Sequence, residues 1–252
     1  MGGALARGLA ANLSEEKFEI RVSNPSATKL ERLQAEFPRI ITFSDNAACA
    51  ENADIIVIAV KPWIEESVLK QLADVKTIGA DTVVISVVAS DSFDNIRKYV
   101  GDGPEVFLAI PNTAVSVSKG MTFVTTDREE KEAGQLVCCL FDAVGKTEVV
   151  PLRMLAGGMA VASCGIAFMM RFLRAMTEGG VELGLYPATA LRAAAQTMLG
   201  AAELIEKGGG HPEAEVDKVT TAGGLTIRGL NAMEEAGFTG SVLKGLRACL
   251  KN

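Results

Sequence analysis

The segment Thr220-Thr-Ala-Gly-Gly-Leu-Thr226 combines hydroxyl groups with two adjacent glycines. Glycines let backbone N–H groups approach a ligand closely, and successive N–H groups form concave sites for anions such as carboxylates. Threonine and glycine ahead of an apolar stretch also favour the start of a helix. Because a helix N-terminus itself attracts anions, both interpretations hold together. The segment predicts a helix start that can bind a small anionic ligand.

The chain opens on Met1-Gly2-Gly3, which resembles the last part of a glycine-rich turn between a strand and a helix. In dinucleotide-binding folds, such glycines let the backbone approach the pyrophosphate, and the helix N-terminus attracts its charge. A pair of glycines is weak evidence alone, and a frayed N-terminal helix is the alternative. We predict that Met1 and Gly2 bind the cofactor.

Polar or chain-breaking residues follow several consecutive predicted strands. Ligands of open α/β sheets bind at the carboxyl ends of the strands, so these positions favour one cofactor crevice. The alternative is that they are ordinary turn formers. The remaining predicted cofactor-binding residues are Asn24, Ser26, Asn46, Ala59, Val60, Lys61, Pro62, Val88, Ala89 and Asn112.

The elements that position these residues follow a β-α-β-α order up to about residue 150. This order predicts an α/β fold with a Rossmann-like, doubly wound parallel sheet. Residues 54–60 form its clearest strand, because a continuous β-branched run is typical of a strand covered on both faces. After residue 150 only helices are predicted, beginning with 154–184 and 188–207. We therefore expect a dinucleotide-binding domain over 1–150 and an all-α domain over 151–252.

The inventory of charges and metal ligands excludes several kinds of function. The formal net charge is -6 without a Lys/Arg cluster, which argues against nucleic acid or an anionic membrane as the partner. His211 is the single histidine, so we expect no metal site and no histidine-based catalytic triad. The five cysteines are odd in number and lack a Cys-x-x-Cys pair, which indicates reduced thiols in a cytosolic protein.

Residues 154–170 form an uncharged run between Arg153 and Arg171. The run is shorter than the roughly 20 residues that a membrane span requires, and we expect a buried helix instead. Its many glycines and alanines would let a second helix approach closely, and glycine inside a helix costs about 1 kcal/mol relative to alanine. An interlocked helical dimer and close packing within one subunit both explain them.

These motifs make the sequence resemble the pyrroline-5-carboxylate reductase family over nearly its whole length. The Gly-Gly-x-Thr core within residues 219–230 is the most specific match, and His211-Pro212 precedes it. The other matching motifs are Ala59-Val-Lys-Pro62, Pro111-Asn-Thr113, Gly184-Leu-Tyr-Pro187 and Ala194-Ala-Gln-Thr197.

The resemblance implies a cytoplasmic enzyme that reduces 1-pyrroline-5-carboxylate to proline, the last step of proline biosynthesis, with NADPH or NADH. It also implies a homodimer formed through the helical domain, from which higher homo-oligomers are built. By the same resemblance, Thr226 is the catalytic residue and hydrogen-bonds the ring nitrogen. Thr221 and the backbone N–H groups of Gly223, Gly224, Leu225 and Thr226 would hold the substrate carboxylate.

Three departures from the family pattern keep alternatives open. No strand precedes Gly2; the family's Ser-Gly-Ser-Gly-Pro turn is Ala162-Ser-Cys-Gly-Ile166; and its Pro-Gly-Gly-Thr-Thr loop is Ala222-Gly-Gly-Leu-Thr226. A different imine substrate is one alternative, and a non-catalytic, dimeric nucleotide-binding paralogue is another. A hydroxyacid reductase ranks below both, because its usual lysine is replaced here by arginines 171 and 174.

The choice between NAD and NADP also stays open. An acidic residue after the second strand of such a fold favours NAD, and an arginine favours NADP. Asn24-Pro25-Ser26 supplies neither. Lys29 is close enough in sequence to contact a phosphate, although a solvated lysine on a helix face is the simpler interpretation.

Overall fold

The computed structural model describes residues 1–75, 78–89, 91–128 and 131–250, with the backbone alone at residue 131. The chain divides into two compact units, Met1–Ser163 and Cys164–Asn252. The first unit extends beyond residue 150 because Gly158 packs on the ring of Phe123: a Cβ at Gly158 would lie 2.5 Å from the Phe123 Cγ atom. The predicted domain boundary near residue 150 remains a prediction.

The first unit alternates helices and strands. Helix α1 begins directly at Gly2, so no strand precedes it within the chain. The elements are α1 Gly2–Asn12, β1 Ile20–Ser23, α2 Ala27–Glu36, β2 Ile40–Phe43, α3 Asn46–Ala50, β3 Ile55–Ile58, α4 Pro62–Ala73, β4 Val83–Ser86, α5 Phe93–Val100, β5 Glu105–Pro111, a 3₁₀ helix Thr113–Val117, β6 Gly120–Thr126, α6 Lys131–Asp142, β7 Gly145–Val149 and α7 Leu152–Gly158. The sequence pattern also predicts an element over 128–140, and its residues 129 and 130 lie outside the described residues.

The strands form two sheets that share no hydrogen-bonded strand pair in the described structure. Strands β1 and β2 pair in parallel, and a second sheet has the order β3-β4-β5-β6-β7. Strand β6 runs antiparallel to β5, whereas the other four strand pairs are parallel, as the doubly wound prediction expects. The reason for the antiparallel pair is the short connection after Pro111, because a parallel crossover needs roughly a dozen residues or more.

Apolar residues cover both faces of the five-stranded sheet, as the doubly wound prediction requires. On one face, Ile56 and Val84 pack with residues of α4 and α5. On the other face, Ile85 and Phe107 pack with residues of α1 and α6. Burial on both sides explains why β4 is buried at every position and reads as a continuous apolar run.

The second unit is helical throughout its described residues. It contains α8 Gly165–Glu182, α9 Pro187–Gly208, α10 Pro212–Val219, α11 Leu225–Glu235 and α12 Phe238–Ala248. Helix α12 lies against α8, where the rings of Phe172 and Phe238 have centroids 6.0 Å apart. Helices α10, α11 and α12 contain no buried residue in the single chain.

A π-helical segment, Met159–Cys164, joins α7 to α8 and makes one continuous helical stretch, Leu152–Glu182. By length and composition alone this stretch could cross a membrane, and 28% of its most apolar window is buried. The expectation of a buried helix is therefore wrong for the single chain. Apolar side chains of the stretch, such as Met169 and Met170, are more than half exposed because no other element of the single chain packs over them.

Candidate functional site

The start of α1 lies against the end of β3. A Cβ at Gly2 would stand 3.1 Å from the Cβ of Ala59 and 3.4 Å from its carbonyl oxygen. Met1 is the N-cap of α1, and no side chain caps this helix start. Its first N–H groups therefore stay open to a ligand. The structure thus brings Met1 and Gly2 together with Ala59 at one strand end.

A second group of predicted residues meets at the end of β1. The Asn24 Oδ1 atom accepts a hydrogen bond from the Ser26 N–H at 2.9 Å. The Ser23 hydroxyl donates to Asn46 Oδ1 at 2.8 Å, and Asn46 Nδ2 donates to Gln71 Oε1 at 2.7 Å. Asn24, Ser26 and Asn46 therefore belong to one corner, and Asn46 ties that corner to α4.

The ends of β3 and β4 are neighbours, because the Val87 N–H donates to the Ile58 carbonyl at 2.9 Å. This contact places Ala59 and Val60 beside Val88. Pro62 is the first residue of α4, and Lys61 is its N-cap. The Lys61 Nζ atom lies 5.9 Å from the ring centroid of Trp63, a side chain that is 79% exposed.

Asn112 is committed to the protein itself. Its side chain is buried; Oδ1 accepts from the Ala114 N–H at 3.1 Å, and Nδ2 donates to the Ala162 carbonyl at 3.2 Å. The amide thereby anchors the π-helical segment, and π turns often occur at functional sites. Its predicted contact with the cofactor remains a prediction.

Glu65 is a buried acid that the sequence reasoning missed. It lies in the first turn of α4 and accepts a hydrogen bond from the Ser86 hydroxyl at 3.2 Å. Burial away from water and the neighbouring Asp91 carboxyl raise the pKa of Glu65 to about 8. The available signal was its spacing from Val68 and Leu69, which puts an acid on the apolar face of the helix.

The predicted substrate loop adopts a shape that requires both glycines. Gly223 has a φ of +68°, in the left-handed region. Gly224 is the N-cap of α11, and its N–H donates to the Thr221 carbonyl at 2.9 Å. No side chain caps α11, which leaves the N–H groups of Leu225 and Thr226 open at the helix start.

The side chains of Thr221 and Thr226 are exposed, and neither hydroxyl hydrogen-bonds to another described residue, whereas the Thr220 hydroxyl donates to the Asp217 carbonyl at 3.2 Å. Leu225 between them is 82% exposed. Thr221 and the residues from Gly223 to Thr226 therefore form one cluster of hydroxyl and N–H groups. This cluster belongs to the second unit, whereas every predicted cofactor residue belongs to the first.

Arg228 is a second residue that the sequence reasoning missed. Its Nε atom donates to the Gly224 carbonyl at 3.2 Å, and Nη2 donates to the Gly223 carbonyl at 3.3 Å. A cation in the first turn opposes the helix dipole unless an anion binds there. Its place three residues after the start of α11 was the signal. The described residues hold no cluster of three or more metal-ligating side chains.

Two family models match the chain. One is described as pyrroline-5-carboxylate reductase dimerisation and matches residues 153–252. The other is described as NADP oxidoreductase, coenzyme F420-dependent, and matches residues 1–90. Their order along the chain agrees with a nucleotide-binding part followed by a helical part.

Curated relatives and solved structures carry the same family name. A pyrroline-5-carboxylate reductase of Synechocystis is 33% identical, over 99% of this chain and 94% of its own length. Pyrroline-5-carboxylate reductase 1 of Dictyostelium discoideum is 31% identical over 98% of this chain, which spans 46% of that relative.

Among solved structures, a pyrroline-5-carboxylate reductase from Coxiella burnetii is 28% identical with a TM-score of 0.88, covering 98% of this chain and 93% of its own. A Plasmodium falciparum pyrroline carboxylate reductase with NADP bound is 25% identical with a TM-score of 0.84, covering 99% and 91%. These agreements confirm the fold and the resemblance. The chain belongs to the pyrroline-5-carboxylate reductase family.

Proposed function

We propose that the chain reduces 1-pyrroline-5-carboxylate to proline with NADPH or NADH, as the last step of proline biosynthesis. The observation that carries this proposal is the loop that starts α11. It presents an uncapped helix start, open N–H groups and unpaired threonine hydroxyls within one turn. Such a surface matches a small ring that carries a carboxylate beside a nitrogen.

The substrate carboxylate accepts hydrogen bonds from the open end of α11. Gly223, Leu225 and Thr226 supply N–H groups, and the Thr221 hydroxyl adds a donor. The Gly224 N–H is already bound to the Thr221 carbonyl, so Gly224 contributes shape instead of a hydrogen bond. The Arg228 guanidinium adds positive charge beside the carboxylate.

Thr226 holds the ring nitrogen through its hydroxyl group. The protonated imine N–H donates to Thr226 Oγ1, which fixes the orientation of the electrophilic C=N bond. Hydride addition to that carbon turns the iminium into a neutral amine, so no side chain needs to deliver a proton in that step. A site without a histidine is adequate for this chemistry.

The residues of the first unit fit a dinucleotide. The open N–H groups at the start of α1 suit a pyrophosphate, and Gly2 lies against Ala59, where an added Cβ would be tight at 3.1 Å. Asn24, Ser26 and Asn46 offer hydroxyl and amide groups to the adenosine end, and residues 59–62, 88 and 89 line the next strand ends. When bound, the reduced nicotinamide supplies the hydride.

The helical unit forms a homodimer in the cytoplasm. Apolar side chains remain exposed along it in the single chain; for example, Leu183 is 87% exposed and Tyr186 is 83% exposed. Exposed apolar patches of this extent mark association surfaces. A second copy covers them, and higher homo-oligomers assemble from the dimer.

A comparison of Thr226→Val with Thr226→Ser tests this function. Valine keeps the shape but removes the hydroxyl, so kcat should fall about tenfold to a hundredfold, the size of a lost hydrogen bond to a charged group. Serine should retain most of the rate. Thr189→Val on the exposed start of α9 serves as the control. An unchanged kcat in Thr226→Val would remove Thr226 from the mechanism.

A second candidate substrate is a larger or more apolar cyclic imine. Leu225, which is 82% exposed, offers an apolar contact where the family loop carries a threonine. A panel of cyclic imino acids of increasing ring size would decide between them. A higher kcat/KM for a larger ring would favour the second candidate.

A further inference from the structure

A chain of hydrogen bonds leads from the end of β4 into the first turn of α4. The Val88 N–H donates to Ser86 Oγ at 3.3 Å, and the Ser86 hydroxyl donates to Glu65 Oε1 at 3.2 Å. Ser86 is 1% exposed and Glu65 is 6% exposed. Both side chains therefore exchange hydrogen bonds with protein groups instead of water.

Asp91 continues this chain on the other side of Glu65. Its Oδ1 atom accepts from the Ser92 N–H at 2.7 Å and from Asn95 Nδ2 at 3.0 Å. Its Oδ2 atom is buried and receives no proton from a donor group among the described residues. The neighbouring Asp91 carboxyl raises the pKa of Glu65, and only a protonated carboxyl can donate a hydrogen bond to a second carboxylate.

This arrangement joins two segments that carry predicted cofactor residues. Glu65 lies three residues after Pro62. Pro62 ends the Ala59–Pro62 motif that follows β3. Val88 directly precedes Ala89. Asp91 accepts a hydrogen bond from the N–H of Ser92, which is the N-cap of α5. A protonated Glu65 therefore ties the two neighbouring strand ends together.

We propose that Glu65 is a positioning residue of the cofactor crevice, which links the start of α4 to the segment after β4 as a neutral acid and repels Asp91 when it ionises. This inference rests on the proposed function, because it takes that crevice as the nucleotide site. Ionisation would place two carboxylates side by side in a buried setting. It would also add negative charge beside an anionic cofactor.

Among the described residues, no Lys or Arg forms an ion pair with the Glu65 carboxyl. The protein groups that act on its titration are Asp91 and Ser86. The neighbouring Glu66 is turned to Lys70 at 2.9 Å and accepts from the Tyr99 hydroxyl of α5 at 3.0 Å. The contact from α3 is the neutral pair of Asn46 with Gln71, and Lys61 lies over the Trp63 ring.

The test measures NADPH binding by the full chain at pH 7 and at pH 9.5. Energy transfer from Trp63, the single tryptophan, to the bound nicotinamide reports the binding. The Kd of the unaltered chain should rise at pH 9.5 by roughly threefold to tenfold, the effect of one added charge near the phosphates. Glu65→Gln should bind equally at both pH values, since its amide donates to Asp91 at any pH.

The exposed neighbour supplies the matched control. Glu66→Gln should keep the alkaline weakening, because Glu66 lies outside the buried chain of hydrogen bonds. Asp91→Asn provides a second variant if Glu65→Gln does not fold, and it should reduce the weakening between pH 7 and pH 9.5, because without the like charge Glu65 ionises at a lower pH.

Two outcomes would overturn the inference. An alkaline weakening that persists in Glu65→Gln and Asp91→Asn would do so while leaving the proposed function intact. No NADPH binding to the unaltered chain at pH 7 would instead remove the cofactor crevice, and this inference with it.

Discussion

Thr221 and Gly224 lie so close that a side chain at position 224 would have to displace Thr221. A Cβ on Gly224 would stand 2.5 Å from Thr221 Oγ1 and 3.0 Å from the Thr221 carbonyl oxygen. The same carbonyl accepts the Gly224 N–H at 2.9 Å. The turn before α11 thus holds its shape through one hydrogen bond and one close approach.

Gly224→Ala should therefore damage substrate binding more than folding. The added methyl must displace Thr221, and a misplacement of about 1 Å can cost roughly a hundredfold in rate. We expect kcat/KM for pyrroline-5-carboxylate to fall by roughly tenfold to a hundredfold with little change in Tm. Steady-state kinetics and thermal melts would measure both.

Gly229→Ala is the matched control in the same helix. A Cβ at Gly229 meets nothing within 4 Å, and alanine favours a helix over glycine by about 1 kcal/mol. This variant should keep its kcat/KM and gain slightly in Tm. Equal losses in both variants would show that the loop geometry is not what matters.

The exposed apolar surface of α8 predicts that a buried charge will weaken the dimer. Met170 is 61% exposed in the single chain. Met170→Glu should raise the dimer Kd by roughly thirtyfold or more, as loss of a strong interface contact of about 2 kcal/mol does. Sedimentation velocity over a concentration series would measure the change.

Ile41→Glu is the comparison for this experiment. Ile41 is also apolar and 41% exposed, but it lies on β2 of the first unit. Its replacement should leave the sedimentation coefficient unchanged. A monomeric unaltered chain at micromolar concentration would contradict the dimer.

The buried Glu65 predicts that the chain loses stability as the pH rises. Its folded pKa, about 8, is raised above the ordinary value of 4.5. Between these values the folded state holds a proton that the unfolded state lacks, so the free energy of unfolding falls with pH. The slope is at most about 1.4 kcal/mol per pH unit, and the contribution is lost above about pH 8.

Urea unfolding of the unaltered chain and Glu65→Gln at pH 5.5 and pH 8.5 would measure this effect. The unaltered chain should lose more stability between the two pH values than the variant does. Parallel changes in both proteins would show that Glu65 does not titrate in the folded state.

The ion pair between Arg97 and Asp127 predicts a loss of stability at acid pH. Arg97 Nε lies 2.6 Å from Asp127 Oδ2, and Nη2 donates to Oδ1 at 2.8 Å. The hydrogen bond from Arg97 lowers the pKa of Asp127 below its ordinary value. The stability that this pair contributes is present at neutral pH and is lost as the pH falls through the folded pKa.

Asp127→Asn should therefore cost about 1.5–3 kcal/mol at pH 7, the usual loss for a hydrogen bond to a charged group. Glu178→Gln removes the exposed partner of Arg174, and such exposed pairs contribute about 0–1 kcal/mol. Chemical unfolding of both variants compares them. Equal effects would mean that the bidentate geometry adds nothing.

The sequence predicts those parts of the fold that depend on local pattern. Helix α9 lies within one residue of the predicted 188–207 at each end, because Pro187 begins it and Gly209, with a left-handed backbone, ends it. The antiparallel β6 could not be read locally, since its direction follows from the length of the connection after Pro111. The sequence pattern of α8 predicts a buried helix, but Met170 is exposed in the single chain. A periodic apolar pattern does not tell whether the cover comes from the same chain or from a second one.

The candidate site was predictable where backbone shape carries the chemistry. Gly223 stands out because its positive φ favours glycine, and Gly224 because a Cβ there would press on Thr221. Glu65 bonds to Ser86 and Asn112 bonds to the Ala162 carbonyl, and the two residues of each pair are far apart in sequence. Arg228 bonds to backbone carbonyls of the loop, which any residue type could supply. Their roles emerge only once the strand ends and loops are brought together.

The most direct measurement is the oxidation of NADPH and NADH by the purified chain with 1-pyrroline-5-carboxylate. The proposed function predicts oxidation that requires the imine, saturates with it and yields one proline for each nicotinamide oxidised. Nicotinamide binding without any turnover of the imine would contradict it and favour a non-catalytic nucleotide-binding protein.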